Sequence, residues 1–424
     1  MNLLSTSQNY INVAVDGIGT IDLPWLGNII KWLFDLFSGT TGAIALGAIV
    51  FTLALKTIVL PLDIYSRVKM KKQSLLMKSM RPQMEKLQQQ YANDKAMYSQ
   101  KVMELQKANG YNMFAACLPT VVSLIIFMIV FSAFSQYSAY ANLSQYNDMT
   151  VAYSAAVQEF VYTDGEQSDE LFLTAYDEFD NPVTAGLSDA QIKGYKVDFD
   201  KFSAYYASVN GGSQPFSEGM TEADKNEIVV NFVQIRARDA AEDFYVAHKY
   251  QTSFLWIGNV WYPDSMFNKE IPAFSSFRSQ ISRAAGSIDA NYEESYNEVM
   301  ANLLSEDAPY SYNGYFVLIV LAIGFMFLQQ FIVMRSQKDA NELSSVDGSA
   351  ARTNKMMMIF MPIIFGIFSF FYSAAFSIYM IMNTVYSLVA TLLINKVVSV
   401  RFEKEQEKKS LDNAAKRAGR KRLK

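Results

Sequence analysis

Four stretches of this chain are apolar for long enough to cross a lipid bilayer, and they restrict what it can fold into. They are Gly42–Leu62, Met113–Phe134, Tyr315–Met334 and the double-length Met356–Asn395. A hydrocarbon core of about 30 Å takes about 20 apolar residues as a helix, and helices satisfy their own backbone groups where no water can. The last stretch has 40 residues, enough for two passes joined by a turn around Ser373–Ala375. Five spans are expected, so the termini lie on opposite sides.

Charge orients these spans. The segment Asp63–Asn112 carries ten basic residues against four acidic ones, and the tail from Lys396 carries eleven against four. Between them, Ser135–Gly314 holds ten basic and twenty-seven acidic residues. Short loops rich in Lys and Arg stay in the cytoplasm, whereas long loops translocate largely regardless of charge. The expected order is an extracellular tail and interfacial helix over 1–41, a first span over 42–62, a cytoplasmic helical hairpin over 63–112 and a second span over 113–134. An extracellular acidic insertion over 135–314 comes next, followed by a third span over 315–334 and a cytoplasmic loop over 335–355. Spans over 356–375 and 376–398 and a basic cytoplasmic tail over 399–424 complete it. The fold class is an all-α membrane protein with a mixed or mostly helical extracellular insertion. The N-terminus, which lacks a signal-peptide pattern, is expected outside and the C-terminus inside.

Local patterns fill in the parts. Leu23–Phe37 is too short to span and reads as an amphipathic helix in the outer interface, with Trp25, Ile29, Trp32, Leu33 and Leu36 on one face. Met70, Met77, Met80, Met84, Leu87 and Tyr91 recur at heptad-like spacing, and Tyr98, Val102 and Leu105 form a returning seam. Ala92-Asn93-Asp94-Lys95 reads as the turn between them. The methionines either join the two hairpin helices or offer adaptable contacts to passing apolar segments. Met77, Met80, Arg81 and Met84 are the candidate contacts. Thr221-Glu222-Ala223-Asp224 reads as a capping box opening a helix that runs to about Tyr250. Phe254–Asp264 (FLWIGNVWYPD) is dense in aromatics and is expected to skim the outer interface.

Polar residues inside the spans carry the functional signal. A cation at a helix centre costs roughly 2.5–3.5 kcal/mol on an insertion scale. Lys56 lies about 9 Å from the end of its span at 1.5 Å per residue, so it either snorkels or faces a hydrated cavity. Thr52, Lys56 and Asp63 share a stripe, and Asn383, Ser387, Thr391 and Asn395 repeat at every fourth position. Gln329 and Gln330 add amides to the third span. Such residues face either the bundle interior or water, or join helices by hydrogen bonds. The hydrophilic set is Lys56, Thr52, Gln329, Gln330, Asn383, Ser387 and Thr391.

No catalytic pattern accompanies them. The chain has one histidine, His248, and one cysteine, Cys117, which excludes multi-histidine metal sites and an intramolecular disulfide. It shows no Gly-rich phosphate loop, HExxH, or GxSxG with a histidine partner. An enzyme, a metal and a cofactor are not expected. The residues leave open a carrier or channel using Lys56 as counter-ion, and an extracellular assembly factor with a membrane anchor.

Several segments resemble the YidC–Oxa family of membrane protein insertases. They are LALKTIVLPLDI at Leu53–Ile64, MKSMRPQMEKLQQQYANDK at Met77–Lys95 and NMFAACLPTVVSLIIF at Asn112–Phe127. Further along are NKMMMIFMPIIFGIFSFF at Asn354–Phe371, IYMIMNTVYSLVATLLI at Ile378–Ile394 and the aromatic segment ending at Asp264. The resemblance implies an insertase in a bacterial plasma membrane. Its five spans would enclose a hydrophilic groove open to cytosol and lipid and sealed on the outside. The implied partners are nascent membrane proteins, the ribosome, the Sec translocon and anionic lipids, with no small-molecule substrate. The chain departs from the family in carrying Lys56 where arginine is usual. Tyr372-Ser373-Ala374 stands where Pro-Ser-Gly is common, and the insertion is much larger than the usual loop.

Overall fold

The computed structural model describes residues 24–109, 113–162, 168–177, 179–183, 192–285, 292–310, 312–336 and 349–422. The tail before Pro24, most of the loop over 335–355, and the side chains of Trp25, Met70 and Cys117 lie outside the described residues. The chain is mostly helical. The helices are α1 (Pro24–Asp35), α2 (Ala43–Gln90), α3 (Lys95–Ala108), α4 (Met113–Gln158), α5 (Phe199–Val209), α6 (Glu222–Thr252), α7 (Phe274–Ala285), α8 (Tyr292–Val299), α9 (Ala301–Leu304), α10 (Val317–Ser336), α11 (Ser349–Phe371) and α12 (Ala374–Arg422). Strands β1 (Leu173–Asp177) and β2 (Ile192–Val197) pair antiparallel, Leu173 opposite Val197.

Among the described residues, three helical segments are long and apolar enough to cross a membrane: Ala43–Met77, Val317–Arg335 and Ala374–Arg401. Their outward sides carry large apolar residues, such as Ile58 on α2, Val320 and Phe331 on α10, and Leu392 and Leu393 on α12. Helix α11 adds Phe360, Ile363 and Ile367. Water disfavours so much exposed apolar surface, whereas lipid tails accept it. The break between α11 and α12 falls at Tyr372-Ser373, where the turn is expected. Pro61, where the first apolar run closes, does not interrupt its helix. Helix α2 runs on for 48 residues through Pro61 and Pro82, about 70 Å at 1.5 Å per residue, and so joins the apolar run to the hairpin without a joint.

The hairpin forms as the heptad spacing predicts. Met77, Met80 and Met84 are buried against Tyr98 and Val102, and Leu87, Tyr91 and Leu105 close the edges. Asp94 caps α3 by accepting from the Ala96 and Met97 amides at 3.1 and 3.0 Å, which satisfies two donors that a helix start leaves open.

At the opposite end of the spans stands a lobe built on α4, α5, α6, α7, α8, α9 and the β-hairpin. Its core holds Tyr146, Tyr153, Phe172, Phe202, Val233, Tyr245 and Tyr296. Helix α4 is continuous from the bundle into this core. The capping box forms, with Thr221 Oγ1 accepting from the Asp224 amide and Asp224 accepting from the Thr221 amide, and α6 runs to Thr252. The Gly42 amide donates to the Tyr250 carbonyl at 2.8 Å, which fastens the end of α6 to the start of α2.

Packing adds to one sequence expectation and corrects another. Helix α1 keeps Ile29, Trp32 and Leu36 of its expected apolar face exposed, while Leu33, with Ile30 and Phe34, forms a second apolar side buried against the bundle. Phe34 lies over Gly47, where a Cβ would overlap its ring, so glycine permits this close approach. The aromatic segment ending at Asp264 does not merely skim a surface. Ile257, Val260 and Trp261 are buried in the bundle core, and Leu255 alone among its large apolar residues stays mostly exposed. The sequence shows that a segment is apolar, whereas non-local partners select which of its faces is covered.

Candidate functional site

The bundle is packed unevenly along its length. On the lobe side its core is dense, with Ala45, Ala48 and Phe51 of α2, Val130 and Phe134 of α4, Leu318 and Ala322 of α10, and the unbroken run Ala374–Met380 apart from polar Ser377. Beyond Thr52 this stops. Among the described side chains of α2, none between Thr52 and Met77 is buried. Lys56 therefore sits one turn past the last buried residue of the span, half-buried. Tight apolar packing would desolvate an ammonium at high cost, and here the packing ends before the ammonium is reached.

Helix α12 lies against both α2 and α10 and changes character at the same level. Past Met380 its buried side chains, among those described, are Thr384, Ser387, Thr391 and Val398, while Val389, Leu392 and Leu393 are exposed. The polar row thus faces protein and the apolar row faces outward. Thr52, Thr384 and Thr391 each donate to the carbonyl four residues back in their own helix, at 2.7, 2.8 and 2.7 Å. Each hydroxyl thus has an acceptor within its own helix. Asn383, Asn395, Gln329 and Gln330 are half-buried, with more polar groups than a hydroxyl has. The fold brings the α2 and α12 sets to neighbouring helices and places the amide pair on α10, which packs against α12.

The hairpin candidates divide. Met77, Met80 and Met84 are covered by α3, so packing accounts for them. Arg81 is exposed and donates to Glu85 at 2.9 Å.

The lobe end is closed by residues that sequence reasoning did not single out. Asp264 is fully buried and accepts from the Tyr315 and Leu318 amides at 2.8 and 2.6 Å. A carboxylate there meets the open donors and positive end of α10. Asn313 accepts from the Asn259 amide at 2.7 Å and donates to the Asn259 and Pro263 carbonyls at 2.8 and 2.9 Å. The Ala374 and Ala375 amides donate to the Tyr262 and Val260 carbonyls at 2.9 and 2.8 Å. Trp261 fills the space between Phe34 and Tyr137, with ring centroids 5.8 and 5.4 Å away. The Pro-Asp ending of the aromatic segment was the one available signal, since Asp is a favoured helix cap, but fifty residues separate it from the helix it serves.

A family model described as 60Kd inner membrane protein matches residues 36–175 and 244–402. The chain belongs to the 60Kd inner membrane protein family. The match to this family covers α2, α3, α4, α10, α11 and most of α12, and leaves out 176–243, which holds β2, α5 and most of α6. The chain is similar to a "Membrane protein insertase YidC" of Fusobacterium nucleatum, at 34% identity over 26% of this chain and 53% of the relative. A protein of the same name from Roseobacter denitrificans is 36% identical over 30% of this chain and 21% of the relative. Another, from Leptospira interrogans, is 33% identical over 27% and 18%. The chain thus spans between about a fifth and about a half of the length of these relatives. No solved structure matches. Membership of the 60Kd inner membrane protein family agrees with the resemblance drawn from the sequence, and with a multi-pass membrane protein.

Proposed function

We propose that this protein is a membrane protein insertase whose working surface is the half-packed, polar-lined space around Lys56. The five-span arrangement expected from the sequence underlies this reading, with the first part of α4 and the apolar end of α11 as second and fourth spans. The hairpin and the basic end of α12 would then face the cytoplasm and the lobe the outside. One observation carries the proposal: apolar packing ends at Thr52, and from that level the covered residues of α12 are mainly hydroxyls beside the helix that holds Lys56.

The mechanism follows from elementary electrostatics and burial. A space lined by Lys56, Asn383, Ser387 and the amides of Gln329 and Gln330 holds water partway into the bilayer. The hydrophilic tail of a client protein enters it without losing all its hydration, and the ammonium attracts acidic residues of that tail. The packed lobe end keeps the space from becoming a pore. The client's apolar span then moves into lipid along the exposed apolar flank, driven by its own burial at roughly 25 cal/mol per Å². Lys and Arg on the hairpin and tail suit ribosomal RNA or anionic lipid headgroups, and the Sec translocon is a further partner of this reading. No nucleotide enters the scheme.

Reconstituted vesicles test it with single-span clients bearing acidic translocated tails. Lys56→Ala and Lys56→Glu should lower the inserted fraction severalfold, Glu more than Ala, while Lys56→Arg retains most of it. Equal insertion by Lys56→Ala and the parent protein would remove the electrostatic step.

A further inference from the structure

Between α1, α2, α4 and α6 lies a cavity of about 340 Å³, at the lower end of the roughly 300–1,000 Å³ typical of small-ligand sites. Its polar lining includes Lys31, Asp35, Asp148 and His248, and Phe34, Tyr137 and Trp261 supply aromatic walls. Ala43 and Ile44, the first residues of the α2 apolar run, also line it. The cavity is therefore level with the end of a span, where phospholipid headgroups lie.

Helix α1 is divided into three sectors around its axis. Ile30, Leu33 and Phe34 are buried, Lys31 and Asp35 border the cavity, and Ile29, Trp32 and Leu36 are exposed, Trp32 at 64%. The exposed sector gives acyl chains an apolar surface beside a charged pocket. Among the described residues none of Lys31, Asp35 and Asp148 is in a salt bridge. His248 Nδ1 lies 2.8 Å from the Phe244 carbonyl, which leaves the other ring nitrogen for the cavity. Burial raises the Asp148 carboxyl above its ordinary value, against the opposing pull of His248. A cationic ligand group would offset that cost by an opposite charge.

We propose that this cavity binds the headgroup of a zwitterionic phospholipid with a primary ammonium, its phosphate at Lys31 and its ammonium between Asp35 and Asp148. Two carboxylates against one lysine disfavour a purely anionic headgroup. A primary ammonium offers three donors to the carboxylates, whereas a quaternary one offers none. Tyr137 and Trp261 also line the cavity, and aromatic rings attract a cation held within about 6 Å. The proposal rests on the membrane placement of α2 and not on insertion activity.

The test uses the full chain in nanodiscs of equal phosphatidylethanolamine, phosphatidylcholine and phosphatidylglycerol, followed by detergent extraction and mass spectrometry of retained lipid. Phosphatidylethanolamine should be enriched about fivefold over the other two, the size expected for partly screened charge contacts. Asp35→Asn with Asp148→Asn should abolish the enrichment, and Asp148→Glu should keep it. Lys31→Gln, a single exposed change, reads the same site should the double variant misfold. Equal retention of the three lipids, preference for phosphatidylglycerol, or enrichment unchanged in Lys31→Gln would overturn the proposal. So would thermal stabilisation by soluble glycerophosphoethanolamine without lipid enrichment, which would assign the cavity to a water-soluble ligand.

Discussion

Asp264 shows how one side chain can hold two distant parts of the chain in register. Its carboxylate starts α10 and at the same time fixes the loop that covers the α11–α12 break. Gly314 next to it has no Cβ because one would overlap Asp264 Oδ1, so neighbouring chemistry restricts that position too. Removing a capping carboxylate costs about 0.5–2 kcal/mol, and here it also leaves the buried Leu318 amide and the partly buried Tyr315 amide without their acceptor. Asp264→Ala should therefore lower the thermal midpoint by several degrees in detergent, and Asp264→Asn by less, since its amide oxygen can still accept. A midpoint unchanged by Asp264→Ala would show that the closure is held elsewhere. The sequence did single out Lys56, because a charge in an apolar run is visible locally. It did not single out Asp264 or Asn313, whose partners lie about fifty residues away.

At the scale of elements, the hairpin and the lobe use different physics. The hairpin is held by one thin seam of methionines, with exposed pairs such as Lys101–Glu104 at 2.8 Å outside it. Exposed pairs contribute little, so the seam carries the stability. Truncating a buried methionine costs roughly 2–5 kcal/mol in a closed core, and this seam sits at the low end. Met80→Ala combined with Met84→Ala should open the α2–α3 hairpin to protease and hydrogen exchange while α10 stays protected. Cleavage at the parent rate would mean that the seam is not what joins the helices. The heptad spacing made this element legible, because its contacts are local. The double apolar character of α1 was not, since the sequence shows where apolar residues fall but not which sector meets Gly47.

For the whole molecule, α4 makes the lobe and bundle one mechanical unit, and the lobe core sets its alkaline limit. Burial holds the Tyr146, Tyr153, Tyr245 and Tyr296 hydroxyls well above the ordinary tyrosine value. Tyr310 is pushed up to about 12, by burial first and then by Glu242. A group whose folded pKa is raised favours the fold fully below its unfolded pKa near 10, and that preference is lost as pH rises through the folded value. The lobe should thus unfold cooperatively between about pH 10 and 12, with these tyrosines ionising only as it opens. Absorbance near 295 nm followed alongside circular dichroism checks this, and ionisation that precedes any loss of structure would contradict it. Two ties resist that opening: Glu298 accepts from Arg238 at 2.9 and 2.7 Å and from Tyr153 at 3.0 Å. Glu270 accepts from Tyr245 at 2.6 Å and pairs with Lys249 at 2.7 Å.

The sequence by itself determined which segments are apolar, where charge accumulates, and where the hairpin, the α6 cap and the α11–α12 break fall. Each of these depends on residues within a turn or two of one another. Only the tertiary structure decided that apolar packing stops at Thr52, that the Ser387–Thr391 row turns inward, and that the aromatic segment closes the lobe end. The rotation of a helix about its own axis and the pairing of remote amides with carbonyls are set by side chains far away in sequence, and no local pattern contains them.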